Sequence, residues 1–178
     1  RARNFIWTAA EKDEFEYMVN RCYTMYMQQN NNVIFNLLDS HDTERLMNRC
    51  QDLDIFYQQL AILFTMPGSP CIYYGTEIAL EGAHDPDCRR CIPWDEIDSA
   101  ENQKKIELMK SLIRMRIQED ACRSLYFDFP HKYSQKRCVE YRKLNLDGKW
   151  IEVLLNCGSE PIEIQGQGGI LLVVSDDG

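Results

Sequence analysis

Two short apolar segments, separated by one apolar helix and each followed by a polar loop, constrain the fold of this chain most. Residues 33–38 (VIFNLL) and 71–74 (CIYY) have the length and apolar content of strands that are buried on both faces of a parallel sheet. Residues 52–66 between them predict a well-buried helix that Pro67-Gly68 ends. Strand, helix and strand in this order predict a βαβ unit with a right-handed crossover.

Helices are predicted on both sides of this unit. Thr8 and Glu11 have the spacing of a capping box, and apolar residues recur at helical intervals from there to about Gln29. The run of asparagines at 30–32 is expected to end that helix. A further helix is predicted over residues 99–118. Its expected inner face consists of Ile106, Met109, Ile113 and Ile117.

The periodicity changes to that of strands after residue 120. Residues 139–141 and 150–155 flank an Asp147-Gly148 pair and predict a β-hairpin, and residues 161–164 and 170–174 predict further strands. We therefore expect an α/β part over residues 1–120, followed by an all-β part over residues 121–178. Because two parallel strands cannot close a sheet, the α/β part is predicted to be a segment of a larger unit. Pairing of its open edge with a second copy, as a homo-oligomer, is a further hypothesis.

The charge balance narrows the classes of partner. The chain has 178 residues with 28 acidic and 20 basic side chains, a formal charge of -8. A net negative surface repels phosphate backbones and anionic lipid headgroups, so neither nucleic acid nor a membrane is the expected partner. No apolar run is long enough to span a bilayer. A neutral, hydroxyl-rich ligand such as a carbohydrate fits this balance.

The cysteines and the first residues bear on the compartment. Eight cysteines are scattered through apparent helices and strands, and apolar residues make up 44% of the chain. Such a chain does not depend on a disulfide framework, so reduced thiols and a cytoplasmic location are expected. The sequence opens with Arg1 and not Met. This start indicates processing or excision from a longer protein, whose signal peptide, if any, would be out of view.

The polar loops after the two predicted strands form the candidate site. His41 and Asp42 follow the first strand, and Asp85 and Arg89 follow the second. Parallel strands send both loops to one edge of the sheet, where α/β proteins place their ligand sites. These side chains can therefore converge and hydrogen-bond sugar hydroxyls. In the alternative interpretation, Asp42 and Thr43 merely cap the following helix.

The motifs in and around these loops resemble those of one enzyme family. Residues 36–43 (NLLDSHDT) resemble the fourth signature region of the α-amylase family, and residues 66–77 (MPGSPCIYYGTE) resemble its last barrel strand with the preceding turn. Residues 82–94 (GAHDPDCRRCIPW) are most similar to neopullulanases, cyclomaltodextrinases and maltogenic amylases. Residues 108–125 are similar to the last barrel helix and its exit into the C-terminal domain. The matches follow the family's order through nearly the whole chain.

This resemblance implies a fold and a function. The two strands would be the last two of a (β/α)8 TIM barrel, followed by an antiparallel β-sandwich domain. The parent enzyme would be a retaining hydrolase of α-1,4 or α-1,6 bonds in cyclodextrins, pullulan or maltooligosaccharides, without a cofactor or metal. Asp42 matches the third catalytic carboxylate, which stabilises the oxocarbenium-like transition state, and His41 would hydrogen-bond the same sugar. Asp85 and Arg89 would line the donor side of the cleft. Thr76 stands where many relatives carry Asp, outside the catalytic set.

The resemblance also indicates what the chain lacks. Retaining glycosidases need a nucleophile and a general acid about 5–5.5 Å apart, and the family supplies them from its fourth and fifth strands. Neither strand motif is found here, nor is the family's earlier Arg-x-Asp strand. A complete barrel takes roughly 250 residues, whereas 120 precede the predicted β part. The isolated chain is therefore expected to be inactive.

Three other interpretations compete with this one. His41-Asp42 has the form of an HD phosphohydrolase metal dyad, but that site needs an upstream His, and both other histidines, His84 and His131, lie downstream. Cys88 and Cys91 form one CxxC without the second half of a zinc site. A non-catalytic carbohydrate-binding or structural module could use exposed rings for stacking on sugars. Its candidate rings are Tyr133, Tyr141 and Trp150.

Overall fold

The fold is taken from a computed structural model that describes residues 9–133 and 137–164, with side chains from residue 14 onward. Thr8 of the predicted capping box and the strand predicted at 170–174 lie outside the described residues. None of the helices in the described ranges is long and apolar enough to cross a bilayer.

The first helix ends earlier than its apolar periodicity predicts. Helix α1 spans Ala9–Thr24, and a separate helical turn, α2, spans Gln28–Asn31. The Thr24 hydroxyl donates to the carbonyl oxygen of Asn20 at 2.8 Å, and the Asn31 side-chain amide donates to the carbonyl oxygens of Tyr23 and Tyr26. These side chains thus bond carbonyls in the last turn of α1 and just beyond it, where backbone acceptors lack intrahelical partners.

The predicted βαβ unit is present, with shorter strands. Strand β1 (Phe35–Leu37) pairs in parallel with β2 (Ser69–Cys71). A short helix α3 (Leu46–Cys50), which the sequence did not indicate, precedes the predicted helix α4 (Leu53–Thr65). The Asp52 carboxylate accepts from the Ile55 backbone N–H at 2.9 Å and caps α4.

The second strand lies two residues before its predicted position. It begins at Ser69, whose backbone N–H donates to the Ile34 carbonyl at 2.8 Å. Gly68 makes this approach possible because its φ is +90° and a Cβ there would lie 2.3 Å from the Ile34 carbonyl oxygen. Residues 72–74, predicted as strand, instead leave the sheet. The prediction that both faces of the first strand are buried is wrong for this chain, since Phe35 and Leu37 are exposed.

The last long helix, α5, spans Ala100–Gln118, in agreement with the helix predicted over residues 99–118. The Ser99 hydroxyl caps it by accepting from a backbone N–H of its first turn. Its inner face is rotated relative to the prediction. Met109 is buried, but Ile113 and Ile117 are exposed, and Leu112 and Arg116 point inward in their place. The α/β core is formed by Leu46, Phe56, Tyr57, Leu60, Phe64, Ala79, Met109 and Leu112.

The β-rich part is a three-stranded antiparallel sheet in the order β3-β4-β5. Strand β3 spans Tyr126–Asp128, and the predicted hairpin is formed by β4 (Cys138–Leu144) and β5 (Trp150–Asn156). Its turn contains Gly148 at φ +77°, as the Asp-Gly pair indicates. Residues 161–164, predicted as strand, pair with no strand in the described ranges, so that prediction is wrong there. The two-sheet sandwich stays a prediction.

Two buried cations join this sheet and α5 to the end of α4. Arg116 donates to the carbonyl oxygens of Phe64 and Met66 at 2.7 and 2.9 Å, and also to that of Gly68. Lys143, fully buried in β4, donates to the carbonyls of Thr65 and Cys122 at 2.7 and 2.9 Å. These donors satisfy carbonyls that the end of α4 leaves unpaired. Because the α/β part and the β-rich part share this junction, the contacts do not separate them into two domains. The predicted domain boundary near residue 120 therefore stays a prediction.

Burial also changes the acidity of the junction. Burial lowers the pKa of Lys143 from 10.5 to about 7 and lowers that of Arg116. Burial raises the pKa of the Tyr141 phenol, whose hydroxyl lies 2.5 Å from that of Thr65. Charged groups thus pay a desolvation cost here that hydrogen bonds to carbonyl oxygens only partly offset.

Candidate functional site

The loop after β1 begins with a buried carboxylate that has a structural task. Asp39 accepts from the Leu46 backbone N–H at 3.0 Å, at the start of α3. It also accepts from the Thr76 hydroxyl at 3.1 Å, in the loop after β2. Asp39 therefore caps α3 and joins the two loops. The alternative in which Asp42 and Thr43 cap the helix predicted at residues 52–66 is wrong, because Asp52 caps α4 and Asp39 accepts from the first N–H of the intervening α3.

Asp42 is left free to face solvent. The Thr43 hydroxyl accepts from the Ser40 backbone N–H at 2.9 Å, and the Ser40 hydroxyl accepts from the Asp42 N–H at 3.2 Å. This turn holds the backbone of the loop and leaves the Asp42 side chain 69% exposed. An exposed carboxylate on an ordered turn is available to a ligand.

The four candidate residues do converge, as the parallel strands predict. The His41 imidazole Nε2 lies 3.2 Å from one Asp42 carboxylate oxygen, and an Arg89 guanidinium nitrogen lies 3.8 Å from the other. The same guanidinium nitrogen is 3.1 Å from Asp85. All four side chains are about half exposed or more. The cluster thus presents two carboxylates, an imidazole and a guanidinium to one patch of solvent.

The two loops are also joined through the main chain of His41. Its carbonyl oxygen accepts from Arg89 Nε at 3.0 Å and from the Cys88 thiol at 3.1 Å. Arg89 therefore positions His41 through its Nε while its terminal nitrogen reaches the two carboxylates. Sequence reasoning assigned Arg89 to the cleft but missed this bridging contact, because no spacing rule predicts a hydrogen bond to a carbonyl 48 residues away.

An exposed ion pair supports the far end of the loop. Asp87 and Arg90 pair at 2.6 Å, and the Asp87 carboxylate accepts from the Ala83 N–H at 2.7 Å. The pair with Arg90 and then the Ala83 N–H lower the pKa of Asp87. These contacts close the turn that carries Asp85 and Arg89.

The geometry gives little support to the metal-site and sugar-stacking interpretations. Cys88 is buried while Cys91 is exposed, and within the described residues no three His, Cys, Asp or Glu side chains are arranged to hold a metal ion. None of the eight cysteines, all of which lie in the described ranges, forms a disulfide. Of the rings proposed for sugar stacking, Tyr141 is fully buried, and the Arg142 guanidinium lies 4.6 Å from the centre of the Trp150 ring.

This cluster can act on a neutral, hydroxyl-bearing ligand. Carboxylates accept hydrogen bonds from hydroxyls, while the imidazole and guanidinium donate them. A carboxylate also stabilises positive charge that develops on a substrate. The described part of the chain contributes Asp42 as the carboxylate between the imidazole and the guanidinium, so Asp42 is the candidate for this task.

Comparison with known proteins identifies the surrounding fold. Residues 3–135 match the α-amylase catalytic domain. An intracellular maltogenic amylase of Bacillus subtilis is 52% identical over 95 residues, which are 53% of this chain and 16% of that enzyme. A cyclomaltodextrinase of a Bacillus species is 38% identical over 154 residues, which are 85% of this chain and 27% of that enzyme.

Solved structures agree with this match. A cyclomaltodextrinase structure superposes with a TM-score of 0.73 at 35% identity, covering 86% of this chain and 26% of that protein. A debranching enzyme of Nostoc punctiforme, soaked with acarbose, gives a TM-score of 0.70 at 27% identity, covering 83% of this chain and 29% of the enzyme. The chain thus spans between 16% and 29% of the length of these four relatives, and it belongs to the α-amylase family of glycoside hydrolases.

Proposed function

We propose that this chain is the C-terminal part of the catalytic unit of a retaining α-glucan hydrolase. In this proposal β1 and β2 are the last two strands of a (β/α)8 barrel. The observation that carries the proposal is the position of Asp42, an exposed carboxylate held between His41 and Arg89 at the carboxyl end of a parallel strand pair. Barrel enzymes of this architecture carry their catalytic residues at that edge.

Each residue of the cluster has a proposed task. Asp42 accepts hydrogen bonds from hydroxyls of the sugar at the cleavage point and stabilises the positive charge of an oxocarbenium-like transition state. His41 donates a hydrogen bond to the same sugar. Asp85 and Arg89 line the adjoining donor side, where the 3.1 Å ion pair between them keeps both side chains oriented.

The substrate class is proposed from the relatives. Enzymes named cyclomaltodextrinase, maltogenic amylase and neopullulanase are among the matches, so the proposed substrates are cyclodextrins, maltooligosaccharides and pullulan. The B. subtilis relative is named as intracellular, and eight cysteines outside any disulfide fit a reducing compartment, so a cytoplasmic location is proposed.

The proposal assigns only one of the needed carboxylates to this chain. Hydrolysis with retention requires a nucleophile and a general acid on opposite sides of the scissile bond. No sequence motif for that pair is found in residues 1–178. We therefore expect the 178-residue chain alone to leave γ-cyclodextrin intact over hours at micromolar protein concentration.

The proposal implies a complete barrel enzyme that contains this sequence, and the test of Asp42 uses that enzyme. Asp42→Asn keeps the shape of the side chain and removes its charge, and we expect kcat on γ-cyclodextrin to fall about 10³-fold. Asp147→Asn is the matched control, since Asp147 lies in the exposed hairpin turn next to Gly148. It should leave kcat unchanged. Equal activity of the Asp42→Asn and parent enzymes would refute the catalytic assignment.

A further inference from the structure

A buried arginine lies behind the candidate site and contacts every loop that forms it. Arg45 is three residues after Asp42 in the chain, yet its side chain is fully buried. Its guanidinium carbon lies 4.1 Å from the centre of the Tyr73 ring and 4.4 Å from that of the Tyr74 ring. No carboxylate of the described residues pairs with it in an ion pair. A buried cation of this kind is costly, so its contacts must offset its desolvation.

The contacts of Arg45 join three segments. Its Nε donates to the Cys88 carbonyl at 2.6 Å, and a terminal nitrogen donates to the Tyr74 carbonyl. Its backbone N–H donates to the Gly82 carbonyl at 2.9 Å. The loop after β1 is thereby fixed to the segment after β2 and to both ends of the loop that carries Asp85 and Arg89.

These contacts close a ring that returns to the candidate site. Arg45 holds the Cys88 carbonyl, and the Cys88 thiol and Arg89 Nε both donate to the His41 carbonyl. The Arg89 side chain then reaches Asp42. Arg45 makes no hydrogen bond to Asp42 itself, and the hydrogen-bonded route from its guanidinium to that carboxylate runs through residues 88 and 89.

Packing around the guanidinium leaves little room for adjustment. A Cβ on Gly82 would lie 2.8 Å from the Asp87 carbonyl oxygen, 2.9 Å from the Cys88 Cα and 3.0 Å from the Arg45 Cγ. Lysine offers a single point donor in place of the planar guanidinium, which contacts two rings while its separate nitrogens donate to two carbonyls. The site therefore depends on an arginine in this position.

We infer that Arg45 is a positioning residue: its buried guanidinium holds the 82–89 loop so that Arg89 and His41 orient Asp42. The assignment of a catalytic task to Asp42 rests on the proposed function, whereas the ring of contacts through Cys88 can be tested without it. The expected effect of removing the guanidinium is confined to the loops of the candidate site. Loss of the guanidinium should release Cys88 and His41 while the junction between α4 and the β-sheet stays closed.

Pulsed alkylation of the intact 178-residue chain with iodoacetamide tests this inference. Cleavage by trypsin after Arg89 and by a Glu-specific protease after Glu81 releases residues 82–89, whose one thiol is Cys88, and the same digest releases Cys122 within residues 120–123. Mass spectrometry of these two peptides gives a separate rate for each thiol. Cys88 and Cys122 are both fully buried, and Cys122 lies at the distant junction as an internal reference. In Arg45→Lys we expect the Cys88 rate to rise roughly tenfold or more while Cys122 changes by less than about twofold.

Two further variants complete the test. Arg142→Lys is the matched control, since Arg142 also stacks on an aromatic ring but lies in β4, away from the site. It should leave Cys88 protected. Gly82→Ala should raise the Cys88 rate as Arg45→Lys does, because it displaces the same loop from the opposite side. Unchanged protection of Cys88 in Arg45→Lys, or a parallel rise of Cys88 and Cys122, would overturn the inference.

Hydrolysis by the complete barrel enzyme separates this inference from the proposed function. If Arg45→Lys exposes Cys88 but Asp42→Asn retains full activity, the positioning contact stands and the catalytic assignment fails. If Asp42→Asn is inactive but Cys88 stays protected in Arg45→Lys, the catalytic assignment stands and the positioning inference fails.

Discussion

Lys143 makes the stability of this chain depend on pH in a way that can be calculated. In the folded chain burial lowers its pKa to about 7, whereas the unfolded value is 10.5. Between these values the unfolded chain binds more protons at this site than the folded chain does, so the free energy of unfolding rises with pH. This stabilisation is complete above the unfolded pKa and is lost as pH falls through about 7.

The expected size follows from the two pKa values. For a single group that titrates near 7 when folded, raising the pH from 7 to 8.5 adds about 1.5 kcal/mol to the free energy of unfolding. The range stops at 8.5 because burial raises the pKa of the neighbouring Cys122 thiol from 9.0, and at higher pH its ionisation in the unfolded chain opposes the effect.

Urea unfolding at several pH values, followed by far-ultraviolet circular dichroism, measures this slope. Lys143→Met removes the titrating group and should lower the slope between pH 7 and 8.5 by the calculated amount. Lys149→Met is the control, since Lys149 is exposed at the hairpin turn and should keep the parent slope. If Lys143→Met and the parent chain show the same slope, the argument that burial keeps Lys143 near half-protonation at neutral pH is refuted.

Three other substitutions and one control, Gly148→Ala, test the contacts that shape the site and the junction, each by urea unfolding at pH 7. Asp39→Ala removes a helix cap and the partner of a buried hydroxyl, so we expect a loss of about 2–3 kcal/mol. Gly68→Ala should cost more than about 2 kcal/mol because its Cβ would meet the Ile34 carbonyl oxygen at 2.3 Å, whereas Gly148→Ala, with nothing within 4 Å, should cost only about 1 kcal/mol. Tyr141→Phe deletes the buried 2.5 Å hydrogen bond to α4 and should cost about 1–2 kcal/mol. Equal losses for the two glycine variants would contradict the steric argument, and a loss below about 0.5 kcal/mol in either other variant would contradict its hydrogen-bond argument.

The sequence by itself determined the elements whose signals are local. The caps of α4 and α5, Asp52 and Ser99, lie beside the residues they serve, and the Asp147-Gly148 turn needs only the conformation that glycine allows. The order of strand, helix and strand was enough to predict that the loops carrying Asp42 and Arg89 meet at one edge, and the structure confirms that they do. The family could be recognised because its motifs surround those loops.

The tertiary structure alone decided which polar groups are buried. The pattern of α5 offered Ile113 and Ile117 for its inner face, yet Arg116 points inward because its guanidinium reaches three carbonyls in and just after the last turn of α4. Asp39 and not Asp42 caps α3, since the cap must lie where the chain turns back toward Leu46. An assignment based on hydrophobic periodicity places every Lys and Arg side chain on the surface. Only the positions of distant carbonyl oxygens show where burying one is stable, and those positions depend on contacts far apart in the sequence.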